Sequence, residues 1–594
     1  MWTSCPTTEL KHWKFTLDQT GYGEGSGWAC PEYDDSCWSD VESYTSWETY
    51  EYALADYEGK GWFRTRYRCD SKANTRTILH FNGVGGTARV FVNGKYVGGT
   101  DNRYLPFEVD ATIAIRKNDE NVIAVLVDNT SRGRKHLTGS DLVEWVLYGG
   151  LTHRVWVEER TIVSINHVRI DAAADGTLKV AVTVEHRGAG EDFAGIVRAE
   201  VEGLPECTME GIVNLPANVT GVLQEGRKCV VYLESKAGEP LLWSPDSPNL
   251  YELKVSLSGE KYTPHSVSYR FGFRTIETSG TKIFLNGKEL YIKGANRYDE
   301  FAPYGNCAPE EKIREDLLEM KKQGMNLVRT HYPQDPIHYE IADEIGIMYM
   351  IEVPLNWWNP KPEQTFADFM GLGADAVDCL DRTFYWFCNH PCWTIWSTGN
   401  ECAHSHPACN QMFHMLADRM RALNCGRLIT YAANKALKDS QELDFCDILS
   451  MNYYTGIKSE SVADFPEQLH EILNAKMELA QRLYPNVPHM MSEYGYVCVR
   501  GVHGSATEGR FTENFGATFL KEKIPVFKKN PQMRGLIIWC WADYRHRRGF
   551  IGNPFGMHLN ATYGPYGLVT MDRKPKEKLM EALREELLSW NPEN

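Results

Sequence analysis

The sequence predicts three units in a row: a jelly-roll-like β-sandwich over residues 1–160, an immunoglobulin-like β-sandwich over 161–275 and a closed (β/α)8 barrel over 276–594. Three observations carry this. At 594 residues the chain is too long for one hydrophobic core and calls for three or four domains. Its first 275 residues are rich in aromatic and β-branched side chains, with turn signals at short intervals. After SYRFGFRTIE, short apolar runs alternate with longer helical patterns, as a barrel requires.

In the first unit, VFVNGKYV alternates apolar and polar residues around Asn93-Gly94, a strong hairpin signal. The second unit continues with shorter strands: VSINHVRIDAA, LKVAVTVEHR, CVVYLES and YELKVSLSG. Six or seven of these in roughly 110 residues match an immunoglobulin-sized sandwich. LLWSPDSPNLY, with two prolines and Trp243, reads as a loop before its last strands. In the third unit the strands are ELYIKGANRY, NLVRTHYP, MYMIEVP, WTIWSTGNE, RLITYAA, ILSMNYY, HMMSEYGY and GLIIWCWADY. PEEKIREDLLEMKKQG is one of the helices between them, with Pro309 near its start and Gly324 after its end.

Composition narrows the class. Hydrophobic content of 43% and charged content of 24% are those of an ordinary globular protein. A net charge of −16 argues against nucleic acid, whose phosphates need a basic face. No run of about 18 apolar residues occurs, so no membrane span is expected. MWTSCPTTELKHWKF lacks a signal-peptide core, and the sixteen scattered cysteines suit a reducing compartment, so a cytoplasmic location is expected.

In a barrel of this kind the strands' C-terminal ends form the active face. Those ends carry Asn296, Arg297 and Asp299; Arg329 and His331; Glu352; Asn400 and Glu401; Asn452 and Tyr454; Glu493 and Tyr494; Trp539, Trp541 and Asp543. A carboxylate at the end of an apolar strand gains no packing energy, so Glu401, closing strand four, points to chemistry. Glu493 closes strand seven, nearly opposite. Two carboxyls facing each other there could flank a glycosidic bond, one as proton donor and one as nucleophile or base. Rim salt bridges, metal binding and proton abstraction are the other uses of such a pair.

Eight pieces of sequence resemble glycoside hydrolase family 2, the β-galactosidase and β-glucuronidase family. They are LYGGLTHR (147–154), LWSP (242–245), IKGANRYDE (292–300), VRTHYP (328–333), NHPCWTIWSTGNE (389–401), MNYY (451–454), SEYG (492–495) and MDRKPK (571–576). The resemblance implies a retaining mechanism, with Glu401 as general acid/base and Glu493 as nucleophile. It implies that Asn400 binds the sugar 2-hydroxyl, that Tyr454 supports the nucleophile or ring oxygen, and that Trp539 walls the sugar pocket. His331 and Arg297 would orient the pocket carboxylates, and the first unit would be sugar-binding in type. No cofactor or metal is implied. The partners expected are a small or oligosaccharide glycoside and, as is common in the family, further copies of the chain.

The chain also departs from the pattern. Glucuronidases of the family carry an Asn-x-Lys clamp before the DRKPK-like tail, and here Gly564-Pro565-Tyr566 stands in its place, so Tyr566 joins the candidate pocket residues. Glu144 occupies the position of a first-domain aspartate that contacts the 4-hydroxyl region. After strand eight comes ADYRHRRGF, whose Arg545, Arg547 and Arg548 offer planar forks for an anionic sugar. A solvated basic loop or a subunit contact is the plainer reading of the same arginines. On this basis a β-hexuronide is expected, galacturonide before glucuronide, with a neutral β-galactoside as runner-up and an inactive carbohydrate-binding protein as a remote third. In ECAHSHPAC, the spacing of Cys402, His404, His406 and Cys409 fits no zinc pattern, and His404 and His406 read as lining the leaving-group side. Trp357 and Trp358, in EVPLNWWNP, read equally as a stacking wall or as loop packing.

Overall fold

The computed structural model describes residues 2–70, 74–130, 143–188, 190–217, 227–360, 366–423, 426–435, 437–547 and 563–592. The first sandwich packs a six-stranded sheet on a four-stranded one. The long central pair, Lys60–Cys69 and Asp119–Asp128, runs antiparallel over ten residues. Asn93 (φ +50°) and Gly94 (φ +80°) make the tight turn between Thr87–Val92 and Lys95–Thr100 that the sequence predicts.

The second sandwich packs a three-stranded sheet (Val163–Ala172, Thr177–His186, Arg227–Lys236) on a five-stranded one. That five-stranded sheet is completed by Trp2–Thr3, which pairs with Tyr262–Phe271. Where a loop is expected around Trp243, a short ribbon forms instead, Trp243–Ser244 against Ser247–Pro248. Trp243 is wholly buried, and its indole N–H donates to the Asp343 carbonyl at 2.9 Å, fastening this sandwich to the third unit.

Eight parallel strands then close a barrel: β1 (Ile292–Asn296), β2 (Leu327–Thr330), β3 (Met348–Glu352), β4 (Trp393–Asn400), β5 (Leu428–Ala433), β6 (Leu449–Asn452), β7 (His489–Tyr494) and β8 (Met533–Ile538). Apart from Lys293 in β1, their residues are buried, the expected condition of strands covered on both faces. Helix α1 (Glu310–Lys322) starts after Pro309 and stops before Gly324 (φ +86°), as its sequence predicts. Between β5 and β6, among the described residues, the connection is turns rather than a helix. KDSQELD carries no apolar 3.6-residue rhythm to pack against the strands.

One apolar core runs through the barrel and takes in Tyr104, Val143, Trp145 and Leu147 of the first sandwich. That continuity brings Glu144 to the rim of the strand ends. Among the described residues no helix is long and apolar enough to cross a membrane.

Candidate active site

β4 leaves the barrel through Gly399 (φ +159°) and Glu401 (φ +51°). A left-handed backbone on a glutamate costs about 1–3 kcal/mol and persists only where neighbours over-determine it. Here they do. The Glu401 N–H donates to the Ala432 carbonyl on β5 at 2.9 Å, the Asn400 N–H to Leu355 at 2.8 Å, and the Asn400 carbonyl accepts from Trp357 N–H at 3.0 Å.

Three side-chain donors meet the Glu401 carboxyl. Asn452 Nδ2 reaches Oε1 at 2.8 Å, while Trp357 Nε1 and Asn434 Nδ2 reach Oε2 at 3.0 and 2.8 Å. The residue as a whole is half-buried. Burial, with the Glu493 charge second, pushes its pKa up to about 8 against the pull of Asn452, Trp357 and Arg329. At neutral pH this carboxyl holds its proton.

Glu493 meets different surroundings. Arg329, on β2, is wholly buried, and its Nη1 donates to Glu493 Oε1 at 2.7 Å and to Asn296 Oδ1 at 2.9 Å. Its Nη2 donates to Glu352 Oε2 at 2.8 Å and Asn400 Oδ1 at 2.9 Å. The other Glu493 oxygen accepts from the Tyr454 hydroxyl at 2.8 Å. Burial followed by three carboxylates, Glu493, Glu401 and Glu144, pushes the Tyr454 phenol well above its ordinary value, so it remains a donor. Glu352 is opposed by burial, but Arg329 and His331 hold it below the usual carboxylate range. His331 Nδ1 lies 2.8 Å from Glu352 Oε1, and its Nε2 lies 3.8 Å from Glu493 Oε1. One guanidinium thus grips Glu493, while burial raises Glu401, a difference set by environment. The two are linked through side chains alone: Glu493 to Arg329, Arg329 to Asn400, Asn400 to Asn452 (2.9 Å), Asn452 to Glu401.

The walls are aromatic. Trp539 lies 5.2 Å from the His331 ring and edge-on to Tyr298 at 5.6 Å, and Trp145 stacks on His331 at 5.6 Å. On the far rim Glu144 accepts from the Tyr544 hydroxyl at 2.6 Å and lies 3.2 Å from His546 Nε2. Tyr566 stacks on Tyr544 at 5.5 Å and sits 5.6 Å from His546. Any side chain at Gly564 would collide with His546 and Tyr566, its Cβ falling 2.4 Å from His546 Nε2. Gly564-Pro565-Tyr566 therefore packs as an aromatic corner beside Glu144.

Glu401, Glu493, Asn400, Tyr454, His331 and Trp539 are joined by hydrogen bonds and close contacts, and Glu144 and Tyr566 reach them through Tyr544, which lies edge-on to Trp539 at 6.0 Å. Three expectations are corrected. Arg297 does not orient the pocket carboxylates: it binds Asp316 at 2.9 Å behind them. Asp316 also accepts from Trp541 (2.5 Å) and Arg573 (2.8 Å), and although burial works against it, Arg573 and Arg297 hold it ionised at about 2. Arg545 and Arg547 are not open forks either. Arg545 donates to the Ala55 carbonyl at 3.0 Å and to Asp56 at 3.2 Å, and Arg547 grips Glu58 through two bonds of 2.6 and 2.9 Å. Acidic residues of the first sandwich occupy the planar geometry a sugar carboxylate would need. Arg548 lies outside the described residues. His404 is wholly buried against Tyr431 and Glu442, so it faces away from the cleft, while His406 is exposed.

Sequence reasoning gave Arg329, Glu352 and Asn452 no role, and it left out Asn434. The signal was available: Asn434 directly follows β5, the one strand whose end contributed no candidate. Trp357 proves to be a donor to Glu401, a role distinct from both readings its sequence allowed.

The structure is a closed barrel with two unequally surrounded carboxyls at its strand ends, preceded by two sandwiches of which the first joins the barrel core. The chain belongs to glycosyl hydrolase family 2. It matches the family's TIM barrel domain over 276–588, its central domain over 163–274 and its galactose-binding-like domain over 43–166. Among curated proteins it is similar to a β-galactosidase of Thermoanaerobacter pseudethanolicus, 31% identical over 412 residues covering 67% of this chain and 51% of that protein. A β-galactosidase of Photobacterium profundum is 27% identical over 617 residues, 96% of this chain and 55% of that one. The chain spans about half the length of the curated relatives it matches. Among solved structures it shares its fold with a β-galacturonidase of Eisenbergiella tayi bound to galacturonate, at a TM-score of 0.82, 22% identity and coverage of 99% of this chain and 98% of that one. A β-glucuronidase of Ruminococcus gnavus in complex with D-glucuronic acid gives 0.82, 21%, 98% and 97%.

Proposed function

We propose that this protein is a retaining exo-β-glycosidase acting on terminal β-linked hexosides. The observation that carries the reading is the unequal pair: Glu401 with its pKa raised to about 8, and Glu493 held by Arg329 and Tyr454. In the first step a Glu493 oxygen attacks the anomeric carbon while Glu401 gives its proton to the glycosidic oxygen, and that C–O bond breaks. In the second, Glu401, now a carboxylate, takes a proton from water. The water attacks the same carbon, and the Glu493–sugar bond breaks. Asn400 retains one N–H for the sugar 2-hydroxyl beyond the one it gives Asn356 at 2.6 Å.

For the sugar, a neutral β-galactoside is the better-supported reading. With Arg545 and Arg547 paired to Asp56 and Glu58, the hexuronide reading loses two of its three proposed readers. Glu144, facing the same pocket, is an acceptor for hydroxyls and a poor neighbour for a second carboxylate. The β-galactosidase relatives point the same way. The test is kcat/KM on nitrophenyl β-galactoside, β-galacturonide and β-glucuronide side by side. We expect the galactoside to lead. A uronide leading by more than about 100-fold, roughly 2.7 kcal/mol of transition-state preference, would overturn this choice and return attention to Arg548.

A further inference from the structure

The residue that meets Glu493 from the β6 side, Tyr454, sits in a short bend whose backbone is gripped from behind. Lys523, on the helix Glu513–Lys528, has no exposure. Its ammonium donates to the carbonyl of Tyr453 at 2.8 Å and to that of Thr455 at 3.1 Å, the residues on either side of Tyr454. Among the described residues no carboxylate lies within ion-pair distance of it. Its other neighbours are the rings of Phe519 and Phe527, 5.2 and 5.7 Å away. A second lysine, Lys476 on the helix Ile472–Leu483, donates to Thr455 Oγ1 at 3.2 Å and lies 4.7 Å over the Tyr453 ring. The bend then ends at Gly456 (φ +82°), where a Cβ would fall 2.6 Å from Leu469.

We propose that Lys523 is a positioning residue of the active site, which fixes the Tyr453–Thr455 bend and so holds the Tyr454 hydroxyl on Glu493. The inference rests on the roles assigned above to Tyr454 and Glu493. A buried ammonium without a counter-ion is costly, and two backbone carbonyls would be satisfied as well by a neutral donor. What the lysine supplies is reach: one atom binds the peptide unit before Tyr454 and the one after Thr455. The bend cannot then rotate without breaking a buried bond. Burial, aided by the Lys476 charge, lowers the Lys523 pKa to about 7. An amine keeps two N–H donors after losing its proton, so both carbonyl bonds survive in either state.

The test is a double-mutant cycle with Lys523→Met and Tyr454→Phe, read as kcat and KM on the nitrophenyl β-glycoside cleaved fastest, beside a thermal melt of each variant. We expect each single variant to lose at least tenfold in kcat with KM little changed, and Lys523→Met to cost less than twofold once Tyr454 is already phenylalanine. A Lys523→Met penalty of equal size in both backgrounds would show a general structural role and overturn the inference alone. A Tyr454→Phe variant at the parent rate would overturn the Tyr454 assignment and the inference together. If Lys523→Met does not fold, Lys523→Gln, whose amide reaches one carbonyl, is read in the same cycle. If that also fails, Lys476→Met, which loosens Thr455 alone, takes its place with the same criteria.

Discussion

Replacing Arg329 by methionine is the most searching test of the site. The guanidinium makes two charge-assisted bonds to carboxylates, 2.7 Å to Glu493 and 2.8 Å to Glu352, with none of the Arg329 or Glu352 side chain exposed and 6% of Glu493. Each such bond contributes about 1.5–3 kcal/mol, so the pair is worth about 3–6 kcal/mol. Breaking a buried ion network by removing one partner costs about 3–5 kcal/mol, which agrees. The loss divides between two observables. Stability falls because Glu352 is left buried with His331 and the Ser397 hydroxyl but without its guanidinium. Activity falls because Glu493 loses the guanidinium that holds its Oε1 in place for attack on the anomeric carbon. We expect kcat/KM at pH 7 to drop about 10³-fold on an activated aryl β-galactoside. Lysine should rescue little, since one ammonium cannot span four acceptors drawn from β1, β3, β4 and β7. A methionine variant within tenfold of the parent would refute the reasoning, and so would full rescue by lysine.

Three further outcomes are expected. Because Glu401 must carry its proton and does so up to about pH 8, kcat/KM should fall tenfold per unit above that value; Glu401→Gln should lose this limb and suffer most on leaving groups of high pKa, as rate profiles on an alkyl and a dinitrophenyl glycoside would show. Arg545→Ala and Arg547→Ala break partly exposed pairs worth about 0–1 kcal/mol, so kcat/KM on a β-galactoside should stay within about threefold of the parent, and a 100-fold loss would restore them as substrate readers. Burial between the first sandwich and the barrel raises Glu48 to about 8 and Glu300 to about 7. A carboxyl raised on folding stabilises fully below its unfolded pKa, about 4.5, and loses that contribution as pH rises through the folded value, so thermal midpoints should decline from pH 6 to 9 and Glu48→Gln should flatten the decline.

The fold was legible because its signals are local and repeated. Each barrel strand is a short, largely apolar run, and Asn93-Gly94 carries a turn in two residues. What stayed hidden was non-local. Nothing in WTSC announces that Trp2–Thr3 completes a sheet with residues 262–271, because a two-residue strand has no periodicity to read. The ribbon at Trp243 was hidden for the same reason: it has two residues a side, and its indole is held by the Asp343 carbonyl a hundred residues away.

At the site, position along a strand picks out Glu401 and Glu493 as candidates but does not rank the arginines. Arg297 and Arg329 occupy similar places at neighbouring strand ends, and both are buried. They differ by one step of alternation. Arg329 is the third residue of the four-residue β2 and turns into the barrel lumen, where Glu493, Glu352 and Asn400 converge. Arg297 lies just past the end of β1 and turns outward, toward Asp316 on α1. Since side chains alternate inward and outward along a strand, the decisive quantity is the parity of the residue against the barrel's register. That register became visible only once all eight strands were aligned. Arg545 and Arg547 lie beyond any strand, where no such rule applies. Their orientation was decided by Asp56 and Glu58, nearly five hundred residues away in sequence, whose charges claim the guanidinium planes before a substrate could.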